Sequence, residues 1–244
     1  MKIKMTAVLC ALVLGTAAVA SAATKKTALP AWQDPNVVEE NRIPMTAHFQ
    51  TDGLKLMLNG TWDFNWNEDR NSRPTDFYRT DYDASGWDTM PVPGMWELNG
   101  YGDPIYLNIG YAWRNQFKNN PPYVPTENNH VGSYVREFDL AEGLKGREIC
   151  VSFQGVEAAF FLWCNGHFVG YSEDSFTPAE FDLSPYIRKQ GNRLCMEVYK
   201  RSSAAWLEDQ DFFRFSGIFR DVYLLSRPQG HIRDIHIVTQ ENRI

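Results

Sequence analysis

The sequence predicts an all-β fold, a jelly-roll sandwich and not a small barrel, and three observations carry that expectation. Short apolar runs, bounded by Gly, Pro, Asn and Ser, recur about every eight to twelve residues over the second half of the chain. No segment sustains a helical period, because apolar residues alternate instead. Asn165-Gly166 joins two such runs in "AFFLWCNGHFVGYS", and that dipeptide supplies the positive φ angles of a two-residue hairpin.

The first residues read as an address. Lys2 and Lys4 precede the apolar run "TAVLCALVLGTAAV", and "ASA" at 20–22 is a small-residue cleavage site, so residues 1–22 are expected to be a signal peptide. Cys10 lies inside the apolar run after the bulky Leu9, which argues against a lipid-anchoring cysteine. The mature protein is expected to be exported, periplasmic or secreted, with no membrane span. Residues 23–57 mix Pro, Asn and single aromatics without periodicity and read as an extended arm.

Residues 58–228 carry the sandwich. "KLMLNGTWDFNW" reads as strand, Asn59-Gly60 turn and strand, with Trp62, Phe64 and Trp66 on one face. "GSYVREFDL" alternates Tyr134, Arg136 and Phe138 against Val135 and Glu137, and "REICVSF" groups Ile149, Val151 and Phe153. Ser184 and Pro185 suit the cap and first position of one helical turn. Strands over "RLCMEVY" and "IFRDVYLLSRP" follow. Residues 229–244, after "RPQG", alternate Ile232, Ile235 and Ile237 with polar residues. A lone strand has no partner for its backbone groups, so this segment is either an edge strand of the sandwich or, the favoured reading, the beginning of a second, truncated domain.

Composition narrows the chemistry. A net charge of −6 with interspersed signs argues against nucleic acid or an anionic membrane as the main partner. With 8 Trp, 11 Tyr and 15 Phe, the chain has more aromatics than a core of this size needs, and surplus rings suit sugar faces. The five histidines are scattered without ligand spacing. Cys150, Cys164 and Cys195 fall in strand-like runs with no C-x-x-C spacing and read as buried thiols.

Two stretches hold candidate site residues. "WLEDQDFFRFSGIFRD" sets Glu208, Asp209 and Asp211 among aromatic residues. Glycosidase chemistry needs two carboxyl groups on either side of the scissile bond. In a strand Asp209 and Asp211 share one face and would approach from the same side, so the cluster is not a complete catalytic pair. One of these carboxylates could instead take a sugar hydroxyl or a hard cation such as Na⁺ or Mg²⁺, with Arg214 and Arg220 neutralising the others. "KNNPPYVPTENNHVG" is a rigid polar loop able to hold an amide against a ligand.

Five runs then carry a family resemblance: "LNGTWDFNW", "MWELNGYGDPIYLN", "NPPYVPTEN", "FFLWCNGHFVGYSEDSFTPAEFDLS" and "LEDQDFFRFSGIFRDVYLL". Together, and in this order, they resemble the N-terminal region of the large β-galactosidases of glycoside hydrolase family 2. The resemblance implies a galactose-binding-like jelly-roll sugar-binding domain, followed by an immunoglobulin-like domain that begins at 229–244. Both catalytic glutamates would then lie in a TIM barrel outside these 244 residues. It implies that Asn120, chosen over Asn119 by the Pro121-Pro122 pair, reaches the galactosyl ring. It also implies that Asp211 contacts a galactose hydroxyl and a bound Na⁺, with Mg²⁺ as a further cation of the intact enzyme. The implied partners are a β-galactoside and the missing catalytic barrel, in the same gene product or a neighbouring chain, with a homo-oligomer as one expected state of the intact protein. Two other readings stand beside this one: a separate non-catalytic carbohydrate-binding module, and a subunit that complements a separately encoded catalytic chain.

Overall fold

A computed structural model describes residues 29–46, 54–111, 113, 117–144, 147–208, 211–228 and 230–239. The expected signal peptide, part of the entry arm and Asp209 lie outside them.

The strands, in chain order, are β1 (Glu39–Glu40), β2 (Leu54–Met57), β3 (Gly60–Asn67), β4 (Asp88–Val92) and β5 (Ile105–Leu107), then β6 (Val131–Phe138), β7 (Glu148–Phe153), β8 (Val156–Glu157), β9 (Ala159–Cys164) and β10 (His167–Ser172). β11 (Ala179–Asp182), β12 (Asn192–Tyr199), β13 (Phe212–Arg214), β14 (Gly217–Ile218) and β15 (Val222–Arg227) complete them, with one helical turn, α1 (Ala205–Glu208). A seven-stranded sheet of order β1-β10-β9-β12-β6-β3-β4 packs on a four-stranded sheet of order β11-β7-β15-β2, and every pairing is antiparallel. This is the expected all-β sandwich.

Apolar side chains from the facing sides of both sheets make the core. Phe64, Tyr134, Leu162, Leu194, Met196 and Val198 meet Ile149, Val151, Phe153, Phe181, Val222 and Leu224 there. Each fully buried side chain of this size stabilises by about 1.5–3 kcal/mol relative to exposure. A second cluster on the outer side of the large sheet joins Phe77, Ala84, Val135 and Cys195. β6 and β12 are therefore covered on both faces along much of their length, which accounts for the eight consecutive buried residues of β12. Gly132 in β6 allows this density: a Cβ there would lie 2.5 Å from Trp96 and 2.8 Å from Phe64.

Several features match the sequence pattern. Asn165 and Gly166 have φ of 52° and 86° and turn β9 into β10. Trp62, Phe64 and Trp66 face the core together. The three cysteines are buried and free, and burial pushes their thiols up to about 12, 12 and 11.

Other expectations fail. Asn59-Gly60 is not a hairpin turn: β2 pairs with β15 in the small sheet and β3 with β4 and β6 in the large one, so the dipeptide carries the chain between sheets. Asn59 holds that crossing by donating to Asp221 at 2.8 Å and accepting from the Val222 N–H at 2.9 Å. Residues 231–239 are a separate matter: among the described residues no backbone pairs with them and Ile232, Ile235 and Ile237 are exposed, so they add no strand to either sheet of the sandwich. The turn after β11 is a single one, but the Ser184 hydroxyl accepts from the Ile149 N–H instead of capping it.

Candidate functional site

Asp211 precedes β13, which forms a two-stranded ribbon with β5, pairing Phe213 with Tyr106. Alternation then sorts the side chains. Tyr106 and Phe213 are half exposed, their rings 5.4 Å apart, and Phe213 stacks on Phe215 at 5.3 Å. The Tyr106 hydroxyl donates to Asp211 Oδ1 at 2.6 Å, and that bond raises the phenol above its ordinary range. The result is an open aromatic shelf with one fixed carboxylate, a pattern suited to a sugar's apolar face and hydroxyl rim. Phe212 and Arg214 point the other way, with the guanidinium 4.5 Å above the Phe212 ring.

Beneath β13 lies a cleft lined by Trp113, Glu157, Lys200, Arg201, Glu208 and Arg214. It encloses about 40 Å³, room for roughly three waters at 10–15 Å³ each. A sugar ring does not fit inside, so a saccharide would have to bind on the outer shelf. Burial, reinforced by the charges of Glu208 and Glu97, pushes the Glu157 carboxyl up to about 8 despite Arg214 and Lys200. Burial and the cations Lys200 and Arg201 push His130 down to about 4, so it is neutral at pH 7. Glu97 and Lys200 form a buried ion pair at 2.6 Å, and Glu97 also accepts from the Ser216 N–H at 2.9 Å.

Asn120 sits on an exposed turn, its carbonyl accepting from the Tyr123 N–H at 2.9 Å. Long-range bonds hold this loop. Trp206 Nε1 donates to Tyr123 O at 3.3 Å, and Gln33 Nε2 donates to Val124 O at 3.0 Å. The buried Asn129 exchanges two bonds with the Arg201 backbone, at 2.9 and 3.0 Å. Trp206 also meets Tyr111 and Trp113 edge-on at 4.3 and 5.0 Å. Trp206 belongs to α1, which ends at Glu208, three residues before Asp211 in sequence. The elements carrying Asn120 and Asp211 are thus tied to one helical turn.

The acidic stretch departs from expectation in its pairing. Glu208 accepts from the Ser175 N–H at 2.7 Å and hydroxyl at 2.9 Å, not from an arginine. Arg220 donates to the carbonyls of Gln154 and Phe176. The turn at Ser175 and Phe176 takes both groups, Ser175 donating to Glu208 and the Phe176 carbonyl accepting from Arg220. Among the described residues no three His, Cys, Asp or Glu side chains converge as a metal site. Asp211 offers an oxygen donor of the class a hard cation takes, with Oδ1 already bonded to Tyr106. Tyr106 lies in "MWELNGYGDPIYLN", Trp206 opens "WLEDQDFFRFSGIFRD" and Asn129 lies in "KNNPPYVPTENNHVG", but none of the three carries a sequence signal of these roles.

Residues 54–228 match the family profile described as "Glycosyl hydrolases family 2, sugar binding domain". The chain is 47% identical over 217 residues to a beta-galactosidase of Halalkalibacterium halodurans, covering 84% of this chain and 21% of that protein. It is 48% identical over 226 residues to the beta-galactosidase large subunit of Leuconostoc lactis, covering 84% and 36% respectively. The chain therefore spans between about a fifth and about a third of these curated relatives. Among solved structures, Bacteroides uniformis beta-glucuronidase 2 bound to cyclophellitol-6-carboxylate aziridine superposes with a TM-score of 0.55 at 21% identity, over 72% of this chain and 18% of that one. At that identity the likeness shows the fold alone.

Proposed function

The chain belongs to glycoside hydrolase family 2, with residues 54–228 as the sugar-binding domain, and from that premise we propose that it is the N-terminal part of a β-galactosidase acting on terminal β-galactosides. The observation that carries this reading is the 47–48% identity to proteins named beta-galactosidase across 84% of the chain. In this reading the chain contributes recognition and not bond cleavage. Asp211, steadied by Tyr106, accepts a galactose hydroxyl and, through its other oxygen, helps hold Na⁺. Asn120 supplies an amide from the facing loop. Bound Na⁺ would supply a fixed positive charge beside the sugar hydroxyls; Mg²⁺, if used, would be held by residues outside those described. The two carboxyl groups that flank the scissile bond would come from a catalytic barrel.

The test compares the chain alone with the chain joined to, or mixed with, a family 2 barrel, using a chromogenic β-galactoside. No turnover is expected from the chain alone. The reconstituted enzyme should lose at least tenfold in kcat/KM on Asp211→Ala, about the value of one charge-assisted hydrogen bond. Turnover by the chain alone would overturn the division of labour, and an unaltered Asp211→Ala enzyme would remove Asp211 from the site. A complementing subunit is the second reading, favoured by the relatives named large subunit; activity on mixing separately purified chains would select it. Export is proposed from Lys2, Lys4 and the apolar run that follows them, and an N-terminus of the mature protein at Ala23 would establish it.

A further inference from the structure

Glu173, just past β10, is 2% exposed. Its carboxylate meets donors from two directions. The Tyr171 hydroxyl donates to Oε1 at 2.6 Å and the Ala204 N–H to Oε2 at 2.9 Å, while the Ser203 hydroxyl lies 3.0 and 3.1 Å from the two oxygens. Among the described residues no ammonium or guanidinium pairs with it. Arg42, from the entry arm, donates instead to the Glu173 carbonyl at 3.1 Å and to the Ser172 hydroxyl at 3.0 Å.

The same residue joins three remote segments. Its N–H donates to Val38 O at 2.9 Å, and Ser203 N–H donates to Trp32 O at 3.0 Å, so the entry arm is tied in twice. Ala204 then opens α1, accepting from the Leu207 and Glu208 N–H groups at 2.8 and 3.0 Å. α1 carries Trp206, which holds Tyr123 O.

We propose that Glu173 is a positioning residue for the sugar-facing end: its carboxylate fixes the start of α1 against the large sheet, and α1 in turn places the Asn120 turn and Asp211. The sugar-facing role rests on the functional reading above; the positional role does not.

Glu173 also gives the arrangement a signature. Burial pushes its carboxyl up to about 7 against the bonds from Tyr171, Ser203 and Ala204. The other ionisable side chains on the elements around it are Arg42 on the arm, Tyr171 on β10, Tyr199 on β12, Asp174 and Glu208. If the 203–208 segment opens and wets the carboxyl, the open form releases its proton near the ordinary 4.5. Raising pH then favours opening, and between pH 6 and pH 8 the opening constant should rise about tenfold. A Gln side chain can accept from the Ala204 N–H through its oxygen and donate to the rotatable hydroxyls through its nitrogen, so it keeps the frame without the charge.

Hydrogen exchange of the 244-residue chain, corrected for intrinsic rates, reads this directly. Glu173→Leu should speed exchange at least tenfold in 118–125 and 203–208 while β9 and β12 stay protected. Glu173→Gln should restore protection and remove the tenfold pH dependence seen in the wild type. Unchanged protection in Glu173→Leu, or the same pH dependence in wild type and Glu173→Gln, would overturn the proposal. If Glu173→Leu does not fold, the Glu173→Gln comparison still decides. No sugar enters this measurement, so the exchange result stands or falls independently of the galactoside reading, which the Asp211→Ala assay decides.

Discussion

The middle of the large sheet and the loop end of the molecule are stabilised in different ways. In β12 all eight residues are buried, and Leu194, Met196 and Val198 share one apolar core with the facing side chains of both sheets. At the loop end, residues 118–130, 203–208 and 211–216 add long-range polar contacts to the packing of Trp206 on Tyr111 and Trp113: Trp206 to Tyr123, Asn129 to Arg201, and, beside them, Lys200 to Glu97 and Glu97 to Ser216. Packing is redundant, because a lost side chain leaves many neighbours in place. A buried hydrogen bond is not, because its loss strands the remaining partner without water. The sandwich is therefore a scaffold tolerant of volume-conserving apolar exchange, and its loop end leans more on buried polar contacts whose partners are stranded when one is removed.

The greatest loss of stability should come from the scaffold. Phe181, fully buried and edge-on to Phe160 at 5.8 Å, should cost up to about 5 kcal/mol as Phe181→Ala, measured by urea denaturation. The loss should be global, with exchange rising in both regions together. Exchange confined to the loop end would show that the two regions do not differ in this way.

Lys200→Met tests the other region. It leaves Glu97 buried without its counter-charge, and about 3 kcal/mol should be lost. Here the Ser216 and His130 neighbourhoods should loosen first, because Glu97 accepts from Ser216 N and Lys200 N donates to His130 O. A variant as stable as wild type would show that the pair only offsets its own desolvation, and the loop end would then be held by its remaining bonds.

The same contrast explains what could be read from sequence. Alternation names a strand's faces whenever one face is apolar, so Ile149, Val151 and Phe153 were legible, as was the Asn165-Gly166 hairpin. Asn59-Gly60 misled because a dipeptide suited to a hairpin can equally bend a chain from one sheet to the next; the choice depends on which strands lie alongside, and that is not local. Residues 231–239 show the complementary limit, since an alternating pattern makes a strand only beside a partner. At the candidate site, motifs point to Asp211 and Asn120. Their supports have no such signal, because Tyr106 reaches Asp211 across 105 residues, Lys200 reaches Glu97 across 103 and Glu97 reaches Ser216 across 119. No spacing rule spans such separations.

A smaller effect, set by pH, separates the two regions further. Glu157 lines the cleft below β13 with a carboxyl pushed up to about 8, whereas an unfolded chain releases that proton near 4.5. Between these values the unfolded state loses a proton that the folded state keeps, so rising pH removes stability, and above about 8 the penalty is complete. Glu173, pushed up to about 7, acts in the same direction, with most of its own loss complete below that pH. From about pH 7 to about pH 8.5 Glu157 supplies most of the loss, and comparison with a variant that lacks its proton separates it from Glu173. Wild type should lose about 1.5 kcal/mol across this interval, and Glu157→Gln, which lacks that proton, should lose only the roughly 0.4 kcal/mol due to Glu173 and be the more stable protein at the upper pH. Urea midpoints at the two pH values measure this. Parallel losses in wild type and variant would place the titration elsewhere, and the loop end would no longer be the pH-sensitive half of the molecule.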